Sequence, residues 1–260
     1  MGDAVSENPQ ERFDGAARVM FVHAHPDDET IATGGTLAAL AEAGLEPLLV
    51  TLTRGEQGEV VAGPLEALVA AHGLAVARQN ELRTALGMLG VERHAFLGAP
   101  PARAEGLPPT IYEDSGMAWG EDGRATAGGD ATADALTRVP AVEALNDLFA
   151  AANDAGAGAI VSYNGGGGYG HPDHVLAHRL ARAVAHGLEI PFWESVPSHE
   201  DTEPDAGQEL IAVHDVTPWL DRKVAALRSH ATQLTVDGEE IVHVGGQREP
   251  ITRTEAFRRR

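Results

Sequence analysis

The sequence contains no cysteine and only one lysine, Lys223, among its 260 residues. The absence of cysteine excludes a disulfide framework, thiolate metal ligands and a cysteine nucleophile. A metal ion in this protein would therefore have to bind to histidine, aspartate or glutamate side chains.

Positive charge is scarce as well. The chain has 19 lysine and arginine residues against 39 aspartate and glutamate residues, which gives a net charge of −20. This balance argues against nucleic-acid binding and against docking on an anionic membrane, because both need basic surface patches. No apolar run has the length of a membrane span or of a signal peptide, so we expect a cytoplasmic protein.

The length and composition fit a single α/β domain over residues 18–260, preceded by a polar, disordered tail over residues 1–17. Along the domain, short apolar segments alternate with helical patterns. This alternation predicts βαβ units and a mainly parallel, Rossmann-like sheet with helices on both faces. The predicted strands are residues 18–25, 47–53, 92–97, 158–163, 190–195, 209–213 and 241–244. The predicted helices are residues 29–43, 64–89, 139–153, 172–186 and 218–230.

One long segment, residues 99–137, breaks this alternation. It is rich in glycine, proline, alanine and aspartate, and it contains three large side chains, Tyr112, Met117 and Trp119. A loop of this length inside a domain is usually functional or disordered, and disordered segments seldom hold such side chains so close together. We therefore predict a long irregular active-site loop that covers the substrate.

Two His-Pro-Asp motifs carry the candidate chemistry. One is the run HAHPDDE at residues 23–29, after the first predicted strand, and the other is the run YNGGGGYGHPDH at residues 163–174, between a strand and a helix. Ligands of open α/β sheets bind beyond the carboxyl ends of the strands, so both motifs lie where a site is expected. Their imidazoles and carboxylates are the ligand set of a catalytic zinc or iron ion with one open position.

The glycine run before the second motif formally fits G-x-G-x-x-G through Gly165, Gly167 and Gly170. A dinucleotide site normally lies at the first βα turn, whereas this run is late in the chain and leads into histidines. We interpret the glycines as a turn that lets backbone approach a ligand. His174 and His178 are four residues apart and could chelate a metal together, but we favour the interpretation that His178 is an ordinary helical histidine or supports the metal ligands.

These motifs resemble those of a known enzyme family, the zinc-dependent N-acetylglucosaminyl deacetylases of the PIG-L/LmbE-like family. The matching runs are HAHPDDE at 23–29, GEQGEV at 55–60, GYGHPDH at 168–174 and HATQ at 230–233. Arg78 and the DSGM run at 114–117 are most similar to the subgroup that removes acetate from an N-acetylglucosaminyl-inositol in mycothiol biosynthesis. The resemblance covers residues 18–233 and implies metal-dependent amide hydrolysis.

The resemblance also implies roles for single residues. One Zn²⁺ per chain, with Fe²⁺ as the alternative, would be bound by His25, Asp28 and His174. Asp27 would take a proton from water. His171, with Asp173 as its partner, would assist the tetrahedral intermediate and the leaving amine, and Tyr169 would polarise the amide carbonyl. The implied substrate contacts are Arg78, Asp114, Glu59 and Met117.

Other functions stay open on the sequence alone. An amidase acting on mycothiol conjugates would share the same chemistry. A non-haem iron oxygenase also uses two histidines and one carboxylate, and a nucleotide-binding module would use the glycine run. The expected partner is a small N-acetyl amino-sugar substrate, with neither nucleic acid nor membrane.

Overall fold

The structure, a computed structural model, describes residues 8–119, 125–129, 131–197 and 211–260. Its strands are β1 (Val19–His23), β2 (Leu48–Thr51), β3 (Arg93–Phe96), β4 (Met117–Trp119), β5 (Ala125–Ala127), β6 (Ala159–Tyr163), β7 (Phe192–Val196), β8 (Ile211–Asp215), β9 (Leu234–Asp237), β10 (Glu240–His243), β11 (Arg248–Pro250) and β12 (Thr254–Arg259). Its α-helices are α1 (Asp28–Glu42), α2 (Leu65–His72), α3 (Leu74–Leu89), α4 (Ala141–Ala155), α5 (Pro172–Leu188) and α6 (Leu220–Leu227). Short 3-10 helices lie at Pro9–Gly15 and Thr217–Trp219.

A seven-stranded sheet in the order β3-β2-β1-β6-β7-β12-β8 forms the centre of the domain. The strands from β3 to β7 pair in parallel, whereas β12 pairs antiparallel with both β7 and β8. The predicted mainly parallel α/β fold is therefore confirmed. Strands β9, β10 and β11 form a separate antiparallel sheet, and β4 pairs with β5.

The central strands are covered by helices on both faces. In β1, Met20 and Val22 pack in a cluster with residues of α4 and α5, while Val19 and Phe21 pack in a second cluster with residues of α1 and α3. Alternate residues of a strand point to opposite faces, so a strand covered on both sides must be apolar throughout. This is why the central strands are continuous apolar runs in the sequence.

The helices differ from the prediction at one place. The expected helix over residues 64–89 is two helices, α2 and α3, because Gly73 between them has φ of 86° and ends the first helix. That backbone conformation is open to glycine and does not continue an α-helix. Of the helices in the described part of the chain, none has the length and apolar character needed to cross a membrane.

Part of the segment that was expected to be disordered is folded onto the domain. Residues 1–7 lie outside the described residues, but Pro9–Gly15 is a 3-10 segment on which Phe13 is only 1% exposed. The Phe13 ring makes edge contacts with Phe21, Trp193 and Phe257. The prediction for residues 8–17 was wrong because this single aromatic ring completes the core on one face of the sheet.

The irregular segment 99–137 has a buried anchor. Tyr112 belongs to the core, and its hydroxyl donates to Asp147 Oδ2 at 2.7 Å. A bridge joins Glu113 to Ala135 farther along the segment. The side chain of Trp119 lies outside what the structure describes, and covering of the substrate by this segment stays a prediction.

The carboxyl-terminal strand β12 was not predicted. Its residues Thr254–Arg259 include three charged side chains and only one large apolar one, Phe257, so no apolar run marks it. Pairing with β7 and β8 buries Glu255 and Phe257, which lie two residues apart and so on the same face of the sheet. The predicted strand at 209–213 is β8, and its first two residues lie outside the described part of the chain.

A histidine on β8, His214, is fully buried between the rings of Phe13 and Phe257. Its Nδ1 lies 3.4 Å from Thr36 Oγ1. Burial, assisted by the nearby Arg12 guanidinium, lowers the pKa of His214 to about 2. The ring is therefore neutral in the folded protein at any pH near neutrality.

We expect His214 to make the protein less stable as the pH falls. In the unfolded chain its pKa is about 6.5, so between pH 7 and pH 5 only the unfolded state takes up this proton. The free energy of unfolding should fall by about 2 kcal/mol from this residue over that interval. His214→Leu should remove this part of the pH dependence, as measured by urea unfolding at both pH values. An equal loss of stability in both proteins would contradict the prediction.

Candidate metal and catalytic site

The two His-Pro-Asp motifs meet at one edge of the sheet. Strands β1 and β6 pair directly and in parallel, so their carboxyl ends are neighbours. His25 and Asp28 follow β1, with Asp28 as the first residue of α1. His171 and His174 follow β6, with His171 as the N-cap of α5. Residues almost 150 positions apart are thereby brought into contact.

Three side-chain atoms form a nearly equilateral triangle. His25 Nδ1, His174 Nε2 and Asp28 Oδ2 are each 3.2 Å from the other two. Two ligands bound at 2.0–2.1 Å to a tetrahedral ion are about 3.3 Å apart, so this spacing fits Zn²⁺. The set of two imidazoles and one carboxylate leaves one position open, as catalytic sites do. The three residues predicted as metal ligands are therefore together.

The nitrogens of these imidazoles that face away from the triangle have acceptors of their own. His25 Nε2 lies 3.3 Å from Asp173 Oδ2 and 3.5 Å from Asp114 Oδ1, and His174 Nδ1 lies 3.3 Å from the Gly167 carbonyl. Such contacts hold the proton on the outer nitrogen and leave the inner one free to bind a metal. The hydrogen-bond pattern thus independently selects the two imidazole nitrogens of the triangle.

Asp28 is held in its ionised form. Burial alone would raise its pKa, but His174 and His25 hold the pKa of Asp28 well below its ordinary value. Its Oδ2 also accepts hydrogen bonds from the Tyr163 hydroxyl at 2.7 Å and from the His25 amide at 2.9 Å. Tyr163 was missed as a site residue in the sequence, where it is the last residue of a strand, although its ring stacks on His174 at 4.1 Å.

Asp173 does not pair with His171 as expected. Its carboxylate Oδ2 accepts from the Ser115 amide at 2.9 Å and faces His25, while only its backbone amide reaches His171, at Nδ1. The helix start explains this, because His171 caps α5 and uses Nδ1 as the capping acceptor. Asp173 therefore orients a predicted metal ligand.

His171 lies beside the triangle as a neutral ring. Its centre is 4.6 Å from that of His25 and 5.0 Å from that of His174. Burial and these two imidazoles lower the pKa of His171 to about 2. Since Nδ1 accepts from the Asp173 amide, the ring proton is on Nε2. Ligand atoms of the three histidines lie within 4.8 Å of one another.

Asp27 occupies a strained turn. Its φ is 117°, a conformation that residues with side chains rarely adopt. Its amide donates to Glu29 Oε2 at 3.0 Å, and its Oδ1 lies 3.2 Å from Arg78 Nη2. Burial raises the pKa of Asp27 to about 6, although the Arg78 charge acts in the opposite direction. Strain of this kind clusters at functional sites.

The residues predicted to contact substrate are divided between interior and surface. Arg78 is 4% exposed and donates to the carbonyls of Pro26 and Gly55, so it supports the Asp27 turn. Asp114 is equally buried and accepts from the Gly116 amide at 2.8 Å. The exposed members of the predicted set are Glu59 and Met117, the latter at 38%. Tyr169, which was predicted to polarise the amide carbonyl, is 57% exposed. Direct contact of these residues with substrate stays a prediction.

A cavity of about 530 Å³ opens beside the triangle. Asp28, His174 and Tyr169 are among its lining residues. The β10–β12 region of the chain also forms part of its wall, through Ile241, Glu249, Pro250, Ile251 and Thr252. This wall could not be predicted from the sequence, because it contains none of the motif residues and is built by strands that meet only in the fold.

The glycine run acts as a turn. Gly167, Gly168 and Gly170 all have positive φ values, and the Gly168 amide donates to Asn164 Oδ1 at 2.9 Å. A Cβ on Gly167 would come within 2.8 Å of Val175. These contacts explain the glycines as a tight connection from β6 to α5.

The fold and the site define an α/β protein with a candidate metal centre at the carboxyl ends of its parallel strands. Residues 20–185 match the family model PIG-L, described as GlcNAc-PI de-N-acetylase. The chain belongs to the PIG-L family. This membership displaces the non-haem iron oxygenase and the nucleotide-binding module as functions for the chain.

Two curated relatives that share one name align with most of this chain. The chain is 37% identical to the 1D-myo-inositol 2-acetamido-2-deoxy-alpha-D-glucopyranoside deacetylase of Kineococcus radiotolerans, over 89% of this chain and 73% of that protein. It is 34% identical to the protein of the same name from Saccharomonospora viridis, over 92% and 93%. The solved N,N'-diacetylchitobiose deacetylase from Pyrococcus horikoshii has a TM-score of 0.57 at 21% identity, over 85% of this chain and 72% of that one, and so shares the fold.

Two alanine variants on α5 distinguish a predicted metal ligand from a neighbouring histidine that does not bind the metal. His174→Ala should lose the bound metal, since Nε2 of this residue is one corner of the triangle. His178→Ala should keep the metal, since its Nδ1 is bound to the Tyr163 carbonyl at 2.9 Å. Metal content of the purified proteins, measured by mass spectrometry, decides the matter. Retention of the metal by His174→Ala would remove this residue from the ligand set.

Proposed function

We propose that this protein is a zinc-dependent deacetylase that hydrolyses the acetamide of an N-acetylglucosaminyl-inositol in mycothiol biosynthesis. The observation that carries the proposal is the triangle of His25, Asp28 and His174 beside a cavity of about 530 Å³. The reaction yields acetate and the free amino sugar. The names of the curated relatives, aligned over most of this chain, support the choice of substrate.

His25, Asp28 and His174 would hold the zinc ion. Zinc at such a site lowers the pKa of bound water to about 7 and polarises the amide carbonyl. The same donors suit Fe²⁺, so the measured metal content of the protein as isolated decides between the two ions.

Asp27 is assigned the role of general base. Its carboxylate takes a proton from the water that attacks the carbonyl carbon, and the carboxyl group then returns this proton to the nitrogen as the C–N bond breaks. Arg78 fixes the carboxylate from one side through the 3.2 Å contact, and the Glu29 side chain fixes the amide. A base held in one position loses little freedom on reaction, which is the source of its rate advantage.

His171 and Tyr169 are assigned the role of stabilising the negative charge that develops on the carbonyl oxygen. The Nε2–H of His171 is its remaining donor, because Nδ1 is bound to the Asp173 amide. It would stabilise the tetrahedral intermediate and assist the departing amine. Tyr169 lines the cavity, and its exposed ring contacts His174 edge-on with ring centres 5.1 Å apart, which supports a role for its hydroxyl group in polarising the carbonyl oxygen. Loss of one such donor typically costs about 10²–10³ in rate.

Asp27→Asn tests the division of labour between the two neighbouring carboxylates. The amide keeps the shape but cannot accept the proton, so kcat should fall by about 10²–10⁴-fold while the metal is retained. Asp28→Asn should instead lose the metal. Acetate release and metal content are measured on both variants. Loss of metal from Asp27→Asn, or near-normal turnover, would require an exchange of the two roles.

A cavity-filling variant tests whether the inositol half of the substrate binds in the cavity. Thr252→Trp should lower kcat/KM for the N-acetylglucosaminyl-inositol by about 10-fold or more, with little change for free N-acetylglucosamine. Thr235→Trp, on the exposed side of β9, is the matched control. Amine formation is measured on both compounds and on a mycothiol conjugate. Preference of the unaltered enzyme for the conjugate would replace the deacetylase by the amidase.

A further inference from the structure

The HATQ run at residues 230–233 is a sequence motif to which the proposed chemistry gives no role. It follows α6 and lies outside the stretch matched by the family model. We call it the HATQ segment. Its side chains are buried at His230, Thr232 and Gln233, and each of these three residues bonds to a part of the chain that surrounds the Asp27 turn.

The first contact runs from His230 to Glu29. His230 Nε2 lies 3.1 Å from Glu29 Oε1 and 3.1 Å from Thr30 Oγ1, and both His230 and Glu29 are completely buried. The other oxygen of Glu29, Oε2, accepts the amide proton of Asp27 at 3.0 Å. One carboxylate therefore joins the HATQ segment to the backbone of the proposed base.

The conformation of Asp27 needs such support. A φ of 117° is held only where the surroundings fix it, because the Cβ of the residue disfavours it. Arg78 holds the carboxylate and the Pro26 carbonyl, and Glu29 holds the amide. Without the Glu29 acceptor, the turn would be free to relax and the Asp27 carboxylate would move.

The remaining contacts tie the same segment to α3 and to the loop after β2. The amide and hydroxyl of Thr232 donate to Glu81 at 2.8 and 2.7 Å, and Glu81 lies one turn beyond Arg78 on α3. The Thr232 carbonyl accepts from the Val61 amide at 2.8 Å. Gln233 Nε2 donates to the Glu59 carbonyl at 3.1 Å. The HATQ segment thereby connects both supports of Asp27.

We propose that His230 and Glu29 are positioning residues that set the backbone of Asp27, and that the HATQ segment anchors them. The proposal rests on the assignment of Asp27 as the base. His230 acts through Glu29 and touches neither substrate nor metal ligand. Removing it should move the proton-accepting oxygen and lower kcat, while leaving the ligand triangle and the substrate cavity as they are.

The decisive comparison uses His230→Leu, His230→Gln and the control His214→Leu. Leucine removes the donor, glutamine restores an N–H near the position of Nε2, and His214→Leu removes another buried histidine that has no contact with Asp27. We expect kcat to fall by about 10- to 100-fold in His230→Leu, with KM and metal content unchanged. His230→Gln should recover most of the loss, and His214→Leu should keep normal kcat.

A second readout does not depend on turnover. Amide hydrogen exchange at Asp27 should be about 10-fold faster in His230→Leu than in the unaltered protein or in His214→Leu, because the Glu29 acceptor is no longer held. If the unaltered protein releases no acetate, the proposed function fails, and the exchange rates still decide the positioning role. Should His230→Leu not fold, Glu29→Gln replaces it, with the same expected loss of kcat.

Several results would overturn the proposal. Normal kcat in the folded variant, or unchanged exchange at Asp27, would show that the pair does not position the base. Loss of metal would show that it acts on Asp28 instead. A rise in KM at constant kcat would assign the segment to substrate binding, and an equal fall in kcat in His214→Leu would reduce the effect to general stability.

Discussion

The direct parallel pairing of β1 with β6 is the contact on which the site depends. In that register Val19 faces Ala159 and Phe21 faces Val161, so the two strands end together. Asp28 Oδ2 can then lie 3.2 Å from imidazoles that belong to both strand ends. A shift of this pairing by one residue would turn the side chains to the opposite face and separate the ligand atoms.

The site concentrates buried polar groups that each need a partner. An unpaired buried donor or acceptor typically costs about 1–3 kcal/mol, and here the outer imidazole nitrogens, Asp28 and the Asp27 amide all have partners. The positive φ of Asp27 adds about 1–3 kcal/mol of backbone strain. Burial of the apolar clusters on both faces of the sheet contributes favourable folding free energy that offsets these costs.

The candidate metal ligands could be predicted from the sequence, but several of the contacts that surround them could not. Buried parallel strands are apolar on both faces, and their carboxyl ends share an edge, so local patterns sufficed to bring His25 and His174 together. The partner of Asp173, the burial of Arg78 and the strand β12 depend on packing between distant segments. A charged residue that pairs inside the fold has the same sequence appearance as one on the surface, and a strand with a single large apolar residue has no recognisable periodicity.

Different parts of the chain supply the reacting groups and much of the cavity wall. The ligand triangle and the proposed base come from residues before 185, within the stretch matched by the family model. Part of the cavity wall comes from β10 to β12. This wall is joined to α1 through Glu255, which accepts from the Gly35 and Thr36 amides of α1 and from Lys223. Because α1 begins at Asp28, the contacts of Glu255 connect this wall to the helix that carries a predicted metal ligand. Substitutions in the wall can therefore alter which sugar fits while the reacting groups keep their geometry.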